Sequence, residues 1–445
     1  MPFKRSRTGC ITCREDGYKC DEQRPSCGRC VRLGKGCKGY GLRLKWQNCA
    51  EPRKTGKHAK TPHKRETPSV ALTRRHLQQQ PTPALPRAMS SQIPPQHASF
   101  LHHWSTVLAS LITMAPAVQN QFHAHITPMI THSSPLRSAI CFMAANHMSV
   151  VKADTSLHNT ATRFQLEAVS SLRKSINTES PLVSLAVIMI LQITDQLFTT
   201  NSGVNHLEGA KGIIERAGPK AWNCDTGVFL LDICSYHDAV VSVSRRTPPI
   251  LDLGGDTSSL NDMESMRGLK ILWEIIGHVS SMCSLDRDAM DIQGPVIEAA
   301  LRSLDEYSSK GDVGHTIHAY KEAAYIYLHR VWHNVGAPHP ATLKHARDCL
   351  NHLSQVPVFS PLASVHAWPL WTAACETIDS QFRELARNRV RAMYELRHLP
   401  SLKRLEQDIE DIWEMKDRER TTTGVDKVDC VQAILAMRQR GADLV

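Results

Sequence analysis

Acidic residues are scarce at the start of this 445-residue chain: residues 1–76 hold 6 Asp+Glu against 20 Lys+Arg, a net of +14. The whole chain holds 53 Lys+Arg and 43 Asp+Glu, so everything after residue 76 sums to −4 and the entire excess of +10 is N-terminal. Such a block points to a polyanionic partner, held by an attraction that weakens with salt. Long apolar runs are also missing. The longest, "LVSLAVIMILQI" at 182–193, is well short of the roughly 20 residues that span a bilayer; it reads as a buried helix, and no membrane is expected among the partners. "MPFKRSRTGC" has no apolar core of the signal-peptide kind, which favours a reducing compartment and argues against disulfides. Aromatics make up 6% of the chain and are absent from 49–98, where "CAEPRKTGKHAKTPHKRETPS" and "QQQPTPALPRAMSSQIPPQHA" supply Pro, Gln, Thr and basic residues instead. No core can be built from that, and the segment reads as a disordered linker.

Strand-like alternation is scarce after residue 99, whereas helical spacing recurs. Ala161, Phe164, Ala168, Leu172 and Ile176 follow at three and four residues and form one apolar face. Ser180-Pro181 offers an N-cap followed by proline at the first helical position, and Leu182, Leu185, Met189, Ile193 and Leu197 continue the spacing. Similar faces run through 226–243, 268–283, 314–334, 341–353, 371–396 and 401–417, with turns at "ERAGPK" and "RRTPPILDLGGD". The body is predicted all-α.

Six of the fourteen cysteines fall within residues 10–37: CxxC (Cys10, Cys13), six residues, Cys20, six residues, CxxC (Cys27, Cys30), six residues, Cys37. Tetrahedral zinc takes four ligands, and two ions need eight ligand positions. Six thiolates fill eight positions only if two of them bridge. The spacing repeats as CxxC-six-C twice, which suggests the leading cysteine of each half as the bridge. So little apolar material surrounds the cluster that metal would supply most of its folding free energy.

Residues 8–46 resemble the Zn(II)2Cys6 binuclear cluster of fungal transcription factors at all six cysteines, and "KCDEQRPSC" matches that family in Asp21 and Pro25. The resemblance implies two Zn2+ per chain, with Cys10 and Cys27 bridging, Cys13 and Cys20 completing one site, and Cys30 and Cys37 the other. It also implies that a short helix starting at Cys13 enters the DNA major groove. In "CREDGYKC" (13–20), Arg14 and Lys19 match the family's basic positions, but Asp16 and Gly17 stand where it usually carries a basic pair. Three readings of Asp16 are open: it braces the cluster by pairing with Arg14 or Lys19, it accepts from a cytosine N4, or specific DNA reading is lost. General attraction to phosphate remains, through Lys4, Arg5, Arg7, Arg29, Arg32, Lys35, Lys38, Arg43 and Lys45. Arg53-Lys54 and Lys64-Arg65 suit a two-part nuclear import signal. Residues 47–98 lack an apolar heptad, which argues against the coiled-coil dimer common in that family.

Several stretches of the body, among them "FLHHWSTVLASLI", "HSSPLRSAICFMAANHM", "GVNHLEGAKGIIERAG", "WPLWTAACETIDSQFRELA" and "EDIWEMKDRE", resemble the fungal-specific transcription factor domain in order. That resemblance implies a regulatory domain answering to a small-molecule effector or a partner protein. Catalysis has little support: in "HRVWH", His329 and His333 lack the glutamate of HExxH. "GKGCKG" fits GxGxxG without a preceding strand, Trp368, Trp371 and Phe382 suit core packing, and "LEQDIEDIWEMKD" suits a packed helix better than an acidic activation segment.

The architecture expected is a small metal-stabilised zinc-cluster domain (1–48), a linker (49–98) and a large all-α regulatory domain (99–445). The function expected is a nuclear, zinc-dependent, sequence-specific DNA-binding regulator of RNA polymerase II transcription, with double-stranded DNA and the transcription machinery or co-regulators as partners, and not an enzyme. The alternative is a zinc-cluster interaction protein without specific DNA readout.

Overall fold

The computed structural model describes residues 10, 12–13, 16–21, 23, 26–37, 93–114, 120–198, 206–251, 264–304, 310–424 and 428–438. They belong to two compact units, a cysteine-rich head and a helical body, each described by itself. Among the described residues there is no strand.

The head contains a helical turn at Thr12–Cys13 and one short helix, α1 (Gly28–Arg32). Its buried cluster is made of thiols: Cys10, Cys13, Cys20, Cys27 and Cys30, with Cys37 packed against them. Tyr18, Val31 and Leu33, the side chains that might have made an apolar core, are exposed.

The body begins with α2 (Pro95–His103), four residues ahead of the boundary at 99 expected from composition. Pro95 sits at the first helical turn, where its missing N–H costs nothing. His97 and Phe100 already pack edge-on against Phe164, each with ring centroids 5.2 Å apart, and so draw the polar-looking segment into the fold. A π-helical turn (Trp104–Leu108) extends α2, and a π turn (Phe122–Ile126) with a 3-10 turn (Thr127–Thr131) leads to α3 (Ser134–Lys152). Ser133 caps α3 by accepting from the Leu136 N–H at 3.3 Å.

Then follow α4 (Ser156–Ser175), α5 (Pro181–Phe198), α6 (His206–Ala217) and α7 (Asp225–Arg245). The expected face of α4 is the buried one: Ala161, Phe164, Ala168 and Leu172 lie in the core while Leu166 points to solvent. These helices enclose a first core around Leu101, Trp104, Ile140, Phe164 and Leu185.

A second core, around Trp273, Tyr320, Trp368, Trp371 and Trp413, is built by α8 (Glu264–Met282), α9 (Arg287–Ser303), α10 (Gly311–His333), α11 (Pro340–Gln355), α12 (Ala367–Cys375), α13 (Ser380–Arg397), α14 (Pro400–Thr423) and α15 (Cys430–Arg438). Helix α7 belongs to both cores, giving Leu230, Ile233 and Val241 to the first and Tyr236, Val240 and Val243 to the second.

Two sequence expectations change here. The single face drawn through 371–396 is two helices, because the chain turns after Cys375 and Asp379 caps a new start by accepting from the Gln381 N–H at 2.8 Å. Helix α9, with its internal Pro295, lies outside the faces drawn from spacing, as do α3, α6 and α15. The apolar run at 182–193 lies in α5, whose bounds Pro181–Phe198 agree with the spacing expected from Leu182 to Leu197. Both α5 and α7 are long and apolar enough to cross a membrane, yet 72% and 67% of the qualifying windows are buried inside the body. Burial in a protein core accounts for that apolarity.

Candidate metal centre

Aligned at their leading cysteines, "CITCREDGYKC" (10–20) and "CGRCVRLGKGC" (27–37) are two eleven-residue copies that share glycine at the eighth place, Gly17 and Gly34. Both glycines adopt positive φ, +77° and +60°. In the second copy the Gly34 N–H donates to Val31 O (3.2 Å) and the Lys35 N–H to Cys30 O (3.0 Å), which closes α1 with a left-handed cap. The first copy repeats the closure: Asp16 N–H donates to Thr12 O and Tyr18 N–H to Cys13 O, both at 2.9 Å. Gly17 is therefore the stop of the helical turn that includes Thr12 and Cys13. An L-residue in that conformation costs about 1–2 kcal/mol, which explains why this position carries no basic side chain.

The copies also begin alike. Cys27 Sγ accepts from the Cys30 N–H at 3.3 Å, and Cys10 Sγ from the Cys13 N–H at 3.4 Å. Asp21 Oδ1 accepts from the Gly28 N–H at 3.0 Å and anchors the start of α1.

These turns bring the thiols together. Cys10 Sγ lies 3.6 Å from Cys27 Sγ and 3.8 Å from Cys30 Sγ, and Cys13 Sγ lies 3.6 Å from Cys27 Sγ. Two groups of four thiols, each with all sulfurs within 4.8 Å, have metal-binding geometry: Cys10, Cys13, Cys20 and Cys27, and Cys10, Cys27, Cys30 and Cys37. They share Cys10 and Cys27. A tetrahedron of Zn–S bonds of about 2.3 Å has S···S edges of about 3.8 Å, so the thiol spacing fits zinc. Burial pushes the Cys10 thiol above its usual range, and a metal's charge is what would draw off that proton.

Asp16 sits at the seam of the two copies. Its Oδ2 is 2.8 Å from Lys35 Nζ and 3.2 Å from Arg29 Nη1, and hydrogen bonds from Lys35 and Arg29 hold its carboxyl below the usual carboxylate range. Arg29 also reaches Cys13 Sγ at 3.6 Å and lies over the Tyr18 ring at 4.2 Å. Among the described residues the bracing partners are Arg29 and Lys35 from the second copy, not the expected Lys19; the other expected partner, Arg14, lies outside the described residues. The turn at Gly17 ends the helix at Asp16, and that side chain meets the other copy. Alignment of the eleven-residue copies was the sequence signal that could have shown the shared glycine. Thr12 Oγ1 adds a second link, donating to Gly36 O at 3.2 Å.

Of the expected nucleic-acid-contacting residues, Asp16, Gly17, Lys19, Arg29, Arg32 and Lys35 are described; Lys19 and Arg32 are exposed, while Arg29 and Lys35 pair with Asp16. Lys4, Arg5, Arg7, Arg14, Arg43 and Lys45 lie outside the described residues, as do Lys38, the import residues Arg53, Lys54, Lys64 and Arg65, and most of the linker and heptad-free segment, residues 47–92.

Comparison with known proteins matches residues 8–47 to the fungal Zn(2)-Cys(6) binuclear cluster domain and residues 99–440 to the fungal specific transcription factor domain. The chain belongs to the fungal zinc-cluster transcription factors. The cluster domain of that family binds two zinc ions. Among its relatives are the aspercryptin biosynthesis cluster-specific transcription regulator atnN of Emericella nidulans, 61% identical over 36 residues (8% of this chain, 6% of that protein), and White-opaque regulator 2 of Candida albicans, 54% identical over 37 residues (8% of each). Transcriptional activator protein UGA3 of Saccharomyces cerevisiae is 25% identical over 217 residues, 43% of this chain and 41% of that protein. The chain therefore spans well under two thirds of these relatives. No solved structure matches it. The matched families and relatives are transcription regulators, not enzymes.

The body of this zinc-cluster protein shows no second thiol or histidine group with metal geometry among the described residues. His329 and His333 hold their rings 6.2 Å apart, and His329 packs against Tyr325 and His345. Trp368 and Trp371 are core residues, and Phe382 packs against that core. The acids of "LEQDIEDIWEMKD" belong to α14 and zip it to α13: Arg383 pairs with Asp417, Arg387 with Glu410 and Arg391 with Glu406. Ile409, Ile412 and Trp413 of the same segment are buried, so it is a packed helix.

Proposed function

We propose that this chain is a nuclear regulator of RNA polymerase II transcription that reads double-stranded DNA through its head and is controlled by its helical body. The observation that carries the reading is the pair of four-thiol groups sharing Cys10 and Cys27. In this reading Cys13 and Cys20 complete one zinc site, Cys30 and Cys37 the other, and the ions supply the positive charge that keeps six thiols ionised in a head without an apolar core. The short helix at residues 13–20 presents Arg14 and Lys19 to base edges in the major groove, while Lys4, Arg5, Arg7, Arg32, Arg43 and Lys45 hold phosphates. Asp16 then acts as a brace, because its charge is taken up by Arg29 and Lys35. Arg53, Lys54, Lys64 and Arg65 carry the nuclear import signal. The body receives a signal from a small-molecule effector or a co-regulator and passes it to the head.

Selection of binding sites from random duplexes by the full, zinc-loaded chain tests this. Enrichment of a short motif is the expected result. A flat profile would assign the chain instead to co-regulators that work through other proteins, a role for which the exposed Tyr18, Val31 and Leu33 of the head offer a surface.

A further inference from the structure

A cleft of about 710 Å³, its open mouth included, lies where the two cores of the body meet. One side is α5 and α7, with Ile193, Ile233 and Val240; the other is the segment 363–367 with α13 and α14, including Met393 and Leu402. Its walls are almost wholly apolar.

Among the described residues that line it, one is charged: Arg397. That side chain is 3% exposed. Its Nη1 donates to Val358 O at 2.7 Å and its Nη2 to Ser360 O at 3.3 Å, but its Nε–H has no partner. Burial disfavours its charged form, and a second buried cation, Arg389, adds to that. Arg389 donates to Val356 O and meets the His366 ring, and the charge of Asp312 acts on it as well, whereas no carboxylate acts on Arg397. A guanidinium buried without a carboxylate is an uncompensated charge, which proteins avoid. A second wall residue repeats the pattern: Gln196 is 7% exposed and its Nε2 has no partner. Both unpartnered groups are donors on side chains that line the cleft.

We propose that this cleft binds an amphipathic monocarboxylate, its hydrocarbon part against the apolar walls and its carboxylate on Arg397 and Gln196. A hydroxyl would satisfy a donor but leave the guanidinium uncompensated; a carboxylate does both. A ligand there touches both cores at once and ties α5 and α7 to α13 and α14. The proposal deepens the regulatory reading of the body and rests on it only for the consequence of binding.

Calorimetry on the full zinc-loaded chain tests it, with decanoate and decanol below their aggregation limits as probes. Decanoate is expected to bind at least tenfold more tightly than decanol. Arg397→Met should erase that preference while decanol still binds, and Val240→Phe, which fills the cleft and leaves Arg397 in place, should abolish binding of both. Equal affinities for the two probes, or decanoate binding retained by Val240→Phe, would overturn the site. Should Arg397→Met fail to melt cooperatively, the wild-type comparison and Val240→Phe decide alone. Decanoate binding without any change in DNA affinity would leave the site standing and remove the regulatory reading instead.

Discussion

Asp16 is a carboxylate in a head that otherwise gathers positive charge, and its place at the seam gives it a structural task. It holds Arg29 of α1 and Lys35 beyond Gly34, and so ties the end of one copy to both ends of the other. Replacing it by asparagine releases two cations. The expected outcome of Asp16→Asn is a head that unfolds at lower temperature yet binds nonspecific duplex more tightly, with a salt slope steeper by about one to two, since each phosphate contact contributes about 0.9. Anisotropy titrations across a range of KCl read the slope. An unchanged slope and an unchanged melt together would show that the brace carries no weight. The cysteine ligands were legible from spacing alone because a metal's coordination number fixes how many thiols must converge. Gly17 was not, because what it does is a matter of backbone sign, visible only when the equivalent Gly34 is set beside it.

At the level of helices, most of the body was legible, since faces such as that of α4 repeat at helical spacing and are the buried ones. What failed has physical causes. Helix α9 carries Pro295 and turns Ile292 and Val296 to solvent, so its apolar residues do not trace one inward face. The break between α12 and α13 hides behind continuing apolar periodicity, and its reason is a buried ionic cluster that no pattern shows. Glu376, directly after α12, takes Arg330 Nη2 of α10 at 2.6 Å, Lys416 Nζ of α14 at 2.7 Å and the Ala337 N–H at 2.8 Å. Gly336 is small for the same reason, because any side chain there would strike the Arg330 guanidinium. Burial opposes ionisation of Glu376, but Lys416 and Arg330 outweigh it and hold the carboxyl below its usual range. Glu376→Gln would leave two cations buried without their carboxylate, at a cost of about 3–5 kcal/mol. That is a large part of the roughly 5–15 kcal/mol that holds a domain together. The urea midpoint of the full chain should fall accordingly, and a midpoint within error of wild type would mean that the cluster is not ionised.

For the whole molecule, several buried imidazoles set the acid side of stability. Burial alone lowers His237 to about 3, and burial with neighbouring histidines lowers His103 and His329 to about 4. Their folded-state values lie below the unfolded value of about 6.5, so the unfolded chain binds more protons. The stability they contribute is complete above that value and is lost as pH falls toward the folded values. At pH 5 His237 alone accounts for about 2 kcal/mol, at about 1.4 kcal/mol per pH unit. Denaturant midpoints measured at pH 7 and pH 5 should differ in that direction, and identical midpoints would contradict neutral burial of these rings.

Cys10 and Cys27 each belong to both four-thiol groups. Neither eleven-residue copy owns enough sulfur for a complete tetrahedron, so each must borrow the leading thiol of the other. A singly loaded head would leave one copy's remaining cysteines converging on nothing, in a unit with no apolar core to keep them there. Loading is therefore expected to be cooperative, so that limiting zinc leaves filled and collapsed molecules with few between, a distribution that native mass spectrometry of the full chain would read.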